Sequence, residues 1–234
     1  MEFSLLGAAA MAAFAFWAML RWEGKRGNAA GCAVNLWDAG LVSAMSGLLA
    51  GRLVAMLEAG INPLTNLSQV LLVRSGVSTA AAGAVALVTF AFISRKDLLP
   101  AADAIAPAAL AGLAGWHAGC IPTGACLGSE SALPWARALE GSDITRHPVE
   151  LYAAIGLALA SVSLALWKQY GRPPLGSVAG FALIAAGAVR LATEPMRISL
   201  AGGPLWVYGA SIVLGSGLIV WSLVHRRRRV TRPD

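Results

Sequence analysis

Seven stretches of this 234-residue chain are apolar and nearly free of charge, and they decide what it can become. In hydrocarbon a backbone has no water to bond, so a run of this kind satisfies its own N–H and C=O groups as a helix, and about 20 residues of helix cross a bilayer. A sliding window places the runs at 3–20, 39–57, 77–93, 102–116, 148–167, 177–191 and 205–224. The fourth and sixth are short and interrupted by glycine, so each is expected to be a turn longer or tilted. Residues 63–74 are apolar but too few to span and are expected to lie along the outer surface. Composition agrees: 57% of residues are hydrophobic and 13% charged, where a soluble domain carries about 25% charged residues. Long apolar runs rather than alternating ones exclude a barrel. The expectation is an all-α, polytopic integral membrane protein with seven transmembrane helices, forming one domain over 1–234.

Orientation follows from lysine and arginine. With the N-terminus outside, the inner loops and tail hold twelve of these residues; the outer side holds only Arg74, Arg137, Arg146, Arg190 and Arg197, and Arg52 falls inside a span. The N-terminus is therefore expected outside and the C-terminus in the cytoplasm, in a multi-pass protein of the plasma (inner) membrane. The net charge of +6 reflects that topology. The basic run 225–229 directly follows a span and is expected to anchor on anionic membrane lipid, so no nucleic acid partner is expected. Residues 1–5 lack a cationic leader and the first run is followed by Arg21, Lys25 and Arg26, so no cleavable signal is expected. The many glycines, Gly83, Gly112 and Gly187 among them, suit close helix packing. No internal repeat of a transporter is visible.

Ionisable groups gather toward the outer end of these runs: Arg52, His117, Arg146, His147, Glu150, Arg190, Glu194 and Arg197. Charge at the membrane edge is costly unless paired or hydrated, which makes the gathering a site; the alternative is a set of ordinary interfacial charges. The outer cations are all arginine, whose planar fork grips a phosphate with two parallel hydrogen bonds. Glu194 follows Arg190 by four residues and is expected to pair with it or with Arg197, either orienting a guanidinium or clamping two helices. His117, His147 and Glu150 are the available bases, although His147, followed by Pro148, also reads as a helix start. Cys32 is expected to be a free inner-side thiol. Cys120 and Cys126 are read first as free thiols, with a disulfide or a zinc site with His117 and His147 as alternatives, and no metal or other cofactor is assigned.

One stretch carries a recognisable order: Asp103, Pro107, Gly119, Cys120, Gly128, Pro134-Trp135, then Arg146-His147-Pro148 with Leu151-Tyr152, and downstream Arg190, Glu194 and Arg197. With Gly51-Arg52 and Ser75-Gly-Val-Ser78 upstream, this resembles the prolipoprotein diacylglyceryl transferase family over about four fifths of the chain. That family has seven helices with an outer N-terminus and an inner C-terminus. There are departures: Ala80 stands where the family has a histidine, His117 where it has an arginine, and Ala125 where an acidic residue is usual. The chain thus resembles a divergent member.

The resemblance implies transfer of a diacylglyceryl group from phosphatidylglycerol to the lipobox cysteine thiol of a prolipoprotein, with release of glycerol phosphate. A departing phosphate gathers negative charge, so fixed cations favour the transition state. Arg190 and Glu194, with His117 and His147 as bases for the thiol, form the implied catalytic set; His117, standing where the family has an arginine, takes either the base role or part of the headgroup contact. Arg52, Arg146, Arg197, Cys120, Gly128 and Tyr152 form the implied headgroup-binding set. The alternatives are another phospholipid-derived group moved to another acceptor on the same scaffold, or an inactive lipid-binding paralogue.

Overall fold

The computed structural model describes residues 3–27, 32–66, 76–121, 127–138, 141–198 and 204–230, without the side chains of 3–6 and 226–230. Seven α-helices account for most of them: α1 Phe3–Gly24, α2 Leu36–Glu58, α3 Thr79–Ile93, α4 Leu98–Ala118, α5 Val149–Gly171, α6 Ser177–Thr193 and α7 Leu205–Val230. A 3-10 turn, Glu194–Met196, prolongs α6. Two short antiparallel strands, β1 Arg137–Ala138 and β2 Thr145–Arg146, form the hairpin between α4 and α5.

The helices follow the apolar runs closely. Among the described residues five are long and apolar enough to cross a membrane: Leu36–Glu58, Leu98–Ala118, Val149–Gly171, Ser177–Met196 and Leu205–His225. This is an all-helical fold of the polytopic membrane kind. Both short runs are lengthened: the fourth gains residues at each end, and the sixth continues into the 3-10 turn. The third is shorter than its apolar run, because α3 begins only after Ser78 and has 15 residues, about 22 Å of helix. Of the segment 63–74, residues 67–74 lie outside the described residues, and 63–65 form a turn.

Packing is set by small residues. α1 lies along α4, α2 along α3, α4 along α5, and α6 along α7. A Cβ on Gly115 would stand 2.5 Å from the Met11 carbonyl oxygen of α1, and one on Gly215 2.4 Å from the Gly180 carbonyl oxygen of α6. Without those side chains the backbones meet directly, which is how helices gain contact where lipid removes the hydrophobic drive to associate. The main core joins Ala106, Leu110 and Ala114 of α4 with Leu157 and Leu164 of α5 and Val178 and Ala182 of α6. Pro107 sits inside α4, and its carbonyl accepts the Ser161 hydroxyl of α5 at 2.6 Å.

Charge is not confined to one end of the bundle, as the sequence suggested. Where α1, α4 and α5 meet at the end opposite His117, Lys168 Nζ donates to Glu23 Oε1 at 2.7 Å and to the Ala104 carbonyl at 3.1 Å. Asp103 accepts the backbone N–H of Gly176 at 2.6 Å and of Ala179 at 2.8 Å, capping α6 across the helix interface. Glu23 is fully buried. Counting only lysine and arginine by loop placed Lys168 on the inner side and left Glu23 out. Cys32, beside this end, is a free thiol as expected. Burial pushes it above the ordinary thiol range, Asp97 adds to the rise, and Lys168 partly offsets both.

Candidate functional site

Three chain reversals bring the site together. α4 ends at Ala118, just past His117; the hairpin returns the chain to α5, whose first turn carries Glu150; and α6 ends at Thr193, with Arg190 in its last turn and the 3-10 turn folding Arg197 back. Pro148 is the N-cap of α5, so the His-Pro pair does start a helix. Its carbonyl accepts the N–H of Leu151 and Tyr152, which fixes the direction in which Glu150 projects.

Glu150 is the hub. Its Oε2 is hydrogen-bonded to His117 Nδ1 and lies 3.9 Å from Arg190 Nη1, while its Oε1 lies 3.5 Å from Arg197 Nε. Arg190 Nη2 donates to Glu194 Oε2 at 3.2 Å and to the Tyr208 hydroxyl of α7 at 3.4 Å, with the guanidinium 5.5 Å from the tyrosine ring centre. Arg197 Nη1 reaches Glu194 Oε2 at 3.5 Å. Glu194 therefore pairs with both arginines at once. The Glu194 side chain is 5% exposed and that of Arg197 40%, so the cluster runs from a buried floor to an open rim.

Two buried atoms in this cluster have no hydrogen-bond partner: Arg190 Nη1 and Glu194 Oε1. A charged donor left so is costly, and most buried polar groups in native proteins are satisfied. An incoming anion could supply what Arg190 Nη1 lacks. Two guanidiniums against two carboxylates also leave the cluster nearly neutral, so it can take up an anion only by using donors like this one.

The other residues singled out by sequence make contacts of their own. Tyr152 OH accepts the Trp135 indole N–H at 2.7 Å and lies 3.4 Å from His147 Nδ1, making a separate polar set on the hairpin side. Arg146 Nη1 donates to the Gly128 carbonyl at 3.3 Å. Gly128 has a steric reason to be glycine, since a Cβ there would lie 2.1 Å from the Met196 carbonyl oxygen and 2.3 Å from Val149 Cγ2. Arg52, 2% exposed, donates from Nη1 to the Gly76 carbonyl at 2.9 Å and so belongs to the α2–α3 wall. Cys120 is disulfide-bonded, which replaces the expected free thiol; Cys126 lies outside the described residues. No group of three or more His, Cys, Asp or Glu suited to a metal ion occurs among the described residues.

An apolar cleft of about 450 Å³ runs between α1, α4 and α5. It begins at Ala118 and Leu151, each a chain neighbour of His117 or Glu150, and continues past Ala154 and Ala158 to Val162. That length of α5 is about 16 Å. Sequence reasoning placed Glu150 among the bases but not at the centre, and it passed over Tyr208. The one available signal was an acidic residue in the first turn of an apolar span and a lone tyrosine inside another.

The sequence profile of the prolipoprotein diacylglyceryl transferase family matches residues 2–225. The chain belongs to that family. It is 32% identical over 151 residues to the phosphatidylglycerol–prolipoprotein diacylglyceryl transferase of Cupriavidus metallidurans, a stretch that is 59% of this chain and 55% of the relative. The protein of the same name from Cupriavidus necator is 32% identical over 157 residues, 62% of this chain and 56% of the relative. That of Pseudoalteromonas translucida is 32% identical over 147 residues, 58% of this chain and 55% of the relative. The chain thus spans little more than half the length of these curated relatives.

Proposed function

We propose that this chain transfers a diacylglyceryl group from phosphatidylglycerol to the lipobox cysteine thiol of a prolipoprotein. The observation that carries the reading is the buried Arg190 Nη1 without an acceptor, set in an ionic cluster at the end of apolar helices and beside an apolar cleft. A phospholipid has both halves of the matching chemistry: an anionic phosphate and long aliphatic chains. In this reading Arg190 and Arg197 hold the phosphate, with Arg146 and Arg52 at its margins, and an acyl chain lies in the cleft. Glu194 fixes both guanidiniums, and bidentate arginine contacts strengthen as the phosphate departs. Tyr152, Gly128 and Cys120 shape the wall on the hairpin side, and His117 or His147 takes the thiol proton.

The membrane arrangement that goes with this function is a single domain of seven spans in the plasma (inner) membrane, N-terminus outside and C-terminus in the cytoplasm. The cluster then faces the outer leaflet, where a secreted precursor meets phosphatidylglycerol. Supporting it are the excess of lysine and arginine on the opposite side and the family's own topology. A reporter fused after Arg229 should score cytoplasmic and one inserted between Ser129 and Asp143 external. The reverse would take the donor lipid and precursor away from the site.

The function is tested by complementing a strain depleted of its own diacylglyceryl transferase, reading the mass of a test lipoprotein. The expected result is a gain of one diacylglyceryl group per lipobox cysteine. Stable membrane expression without that gain would favour an inactive lipid-binding paralogue, a reading that Ala80 in place of the family's histidine supports. A different added mass would mean another lipid-derived group.

A further inference from the structure

Within the proposed transfer reaction, the contacts of Glu150 set a feature that neither the family match nor the relatives' names supply. The Glu150 carboxylate has two sides. Oε1 faces Arg197 and Oε2 faces both Arg190 and the imidazole of His117. A carboxylate held between two guanidiniums accepts hydrogen bonds and donates none, so the Nδ1 of His117 bonded to it must carry the ring proton in the neutral state. The other ring nitrogen, Nε2, is then a bare lone pair. Among the described residues it has no hydrogen-bond partner, and the His117 side chain keeps 13% of its surface exposed.

We propose that Glu150 is a positioning residue that locks His117 with Nε2 free, making His117 the base for the acceptor thiol. The thiol gives its proton to His117 Nε2 as its sulfur attacks the glyceryl carbon. The carbon–sulfur bond forms as the carbon–oxygen bond to phosphate breaks, and the oxygen leaves with the bonding pair toward Arg190 and Arg197. The resulting imidazolium faces the Glu150 carboxylate, which stabilises the charge as it appears, and then releases the proton to solvent. The same carboxylate thus joins the two halves of the reaction. It orients the base through Oε2 and holds the leaving-group arginines through both oxygens.

His147 is less suited to this task. Its Nδ1 is 3.4 Å from the Tyr152 hydroxyl, a group that donates or accepts and so fixes neither tautomer. Glu194, the second carboxylate of this cluster, contacts only the two arginines in the ion pairs described.

Glu150→Gln tests the proposal because its direction is set by the neighbours. Arg197 Nε, the nearer guanidinium donor at 3.5 Å, takes the amide oxygen, and the NH2 turns to the Oε2 side, where it meets His117 Nδ1 with Arg190 Nη1 farther off at 3.9 Å. That forces Nδ1 to accept and moves the ring proton to Nε2. The experiment records 15N imidazole spectra of the full-length protein in lipid nanodiscs, at a pH where the ring is neutral, with His117 assigned by His117→Asn. Steady-state transfer to a lipobox peptide is measured in parallel.

The expected wild-type signal is an Nδ1–H, bare-Nε2 ring. In Glu150→Gln it becomes the opposite tautomer, and kcat falls roughly 100-fold or more with a smaller change in KM for phosphatidylglycerol. A wild-type ring protonated on Nε2, or exchanging between tautomers, overturns the proposal, as does a Glu150→Gln enzyme with unchanged kcat. A locked wild-type tautomer that reverses in the variant, in a protein that transfers no lipid, upholds the positioning and refutes the transfer reading instead.

Discussion

The two ends of the helix bundle both bury charge, but they use it differently. At the Lys168 end, the charged groups are matched to fixed partners: Asp103 holds two backbone N–H groups of the α6 start, and Lys168 holds Glu23 and a carbonyl of α4. At the His117 end, two carboxylates are shared among two arginines and a histidine; carboxylate oxygens without a hydrogen bond are buried at both ends, but among the described residues a guanidinium donor, Arg190 Nη1, is left without an acceptor only here. The first arrangement ties α1, α4, α5 and α6 together. The second retains capacity for a ligand. Burial alone does not mark a site in a membrane protein; a buried cationic donor without an acceptor, beside an apolar cleft, is the better guide.

The largest effect expected from this contrast is on stability at the Lys168 end. Lys168→Ala leaves Glu23 buried beside a missing cation, and breaking a buried pair on one side costs about 3–5 kcal/mol. Unfolding in detergent should shift accordingly, while the transfer rate per folded molecule is retained. A large loss of rate in folded Lys168→Ala would break the contrast. Next comes the His117 end: Arg190→Lys should leave unfolding unchanged and lower kcat/KM by roughly 30-fold, about 2 kcal/mol, because an ammonium cannot reproduce the fork. If Arg190→Lys unfolds instead, that end is a clamp as well.

Asp103→Asn sharpens the comparison. The amide keeps one acceptor but sets its NH2 against a backbone N–H, so a loss of about 1 kcal/mol in stability is expected, with activity kept. Unaltered unfolding would show that the cap adds nothing. The smallest effect is a pH dependence at Cys32. Its thiol lies above the ordinary range through burial and Asp97, so the thiolate, the reactive form, appears only at higher pH. Alkylation of Cys32 should therefore rise with pH with a midpoint above that of a free cysteine in the same buffer, and Asp97→Asn should lower the midpoint. A midpoint at or below the free-cysteine value would contradict the burial described there.

Much of this fold was legible because membrane helices declare themselves residue by residue: an apolar run is a helix whatever its neighbours are. The Arg190 and Glu194 pairing was legible too, as four residues is one helical turn. What escaped reading depends on how helices are rotated and shifted against one another. Glu23 and Lys168 are 145 positions apart and meet only because α1 and α5 both finish at the same end. Glu150 could be seen as a base, but its place between His117, Arg190 and Arg197 needs the ends of α4, α5 and α6 together. Tyr208 sits in a span that offers no charged neighbour in sequence, and its role beside Arg190 is set by α7 packing on α6.

The most direct test of the central claim uses purified protein in nanodiscs with phosphatidylglycerol, a lipobox peptide, and mass detection of both products. The wild type should convert the peptide to its diacylglyceryl thioether with one glycerol phosphate released per peptide, and Arg190→Lys should do so roughly 30-fold less efficiently at equal folded amount. Peptide left unmodified by folded wild-type protein, or equal rates from both proteins, would contradict the assignment of the His117 end as the transfer site.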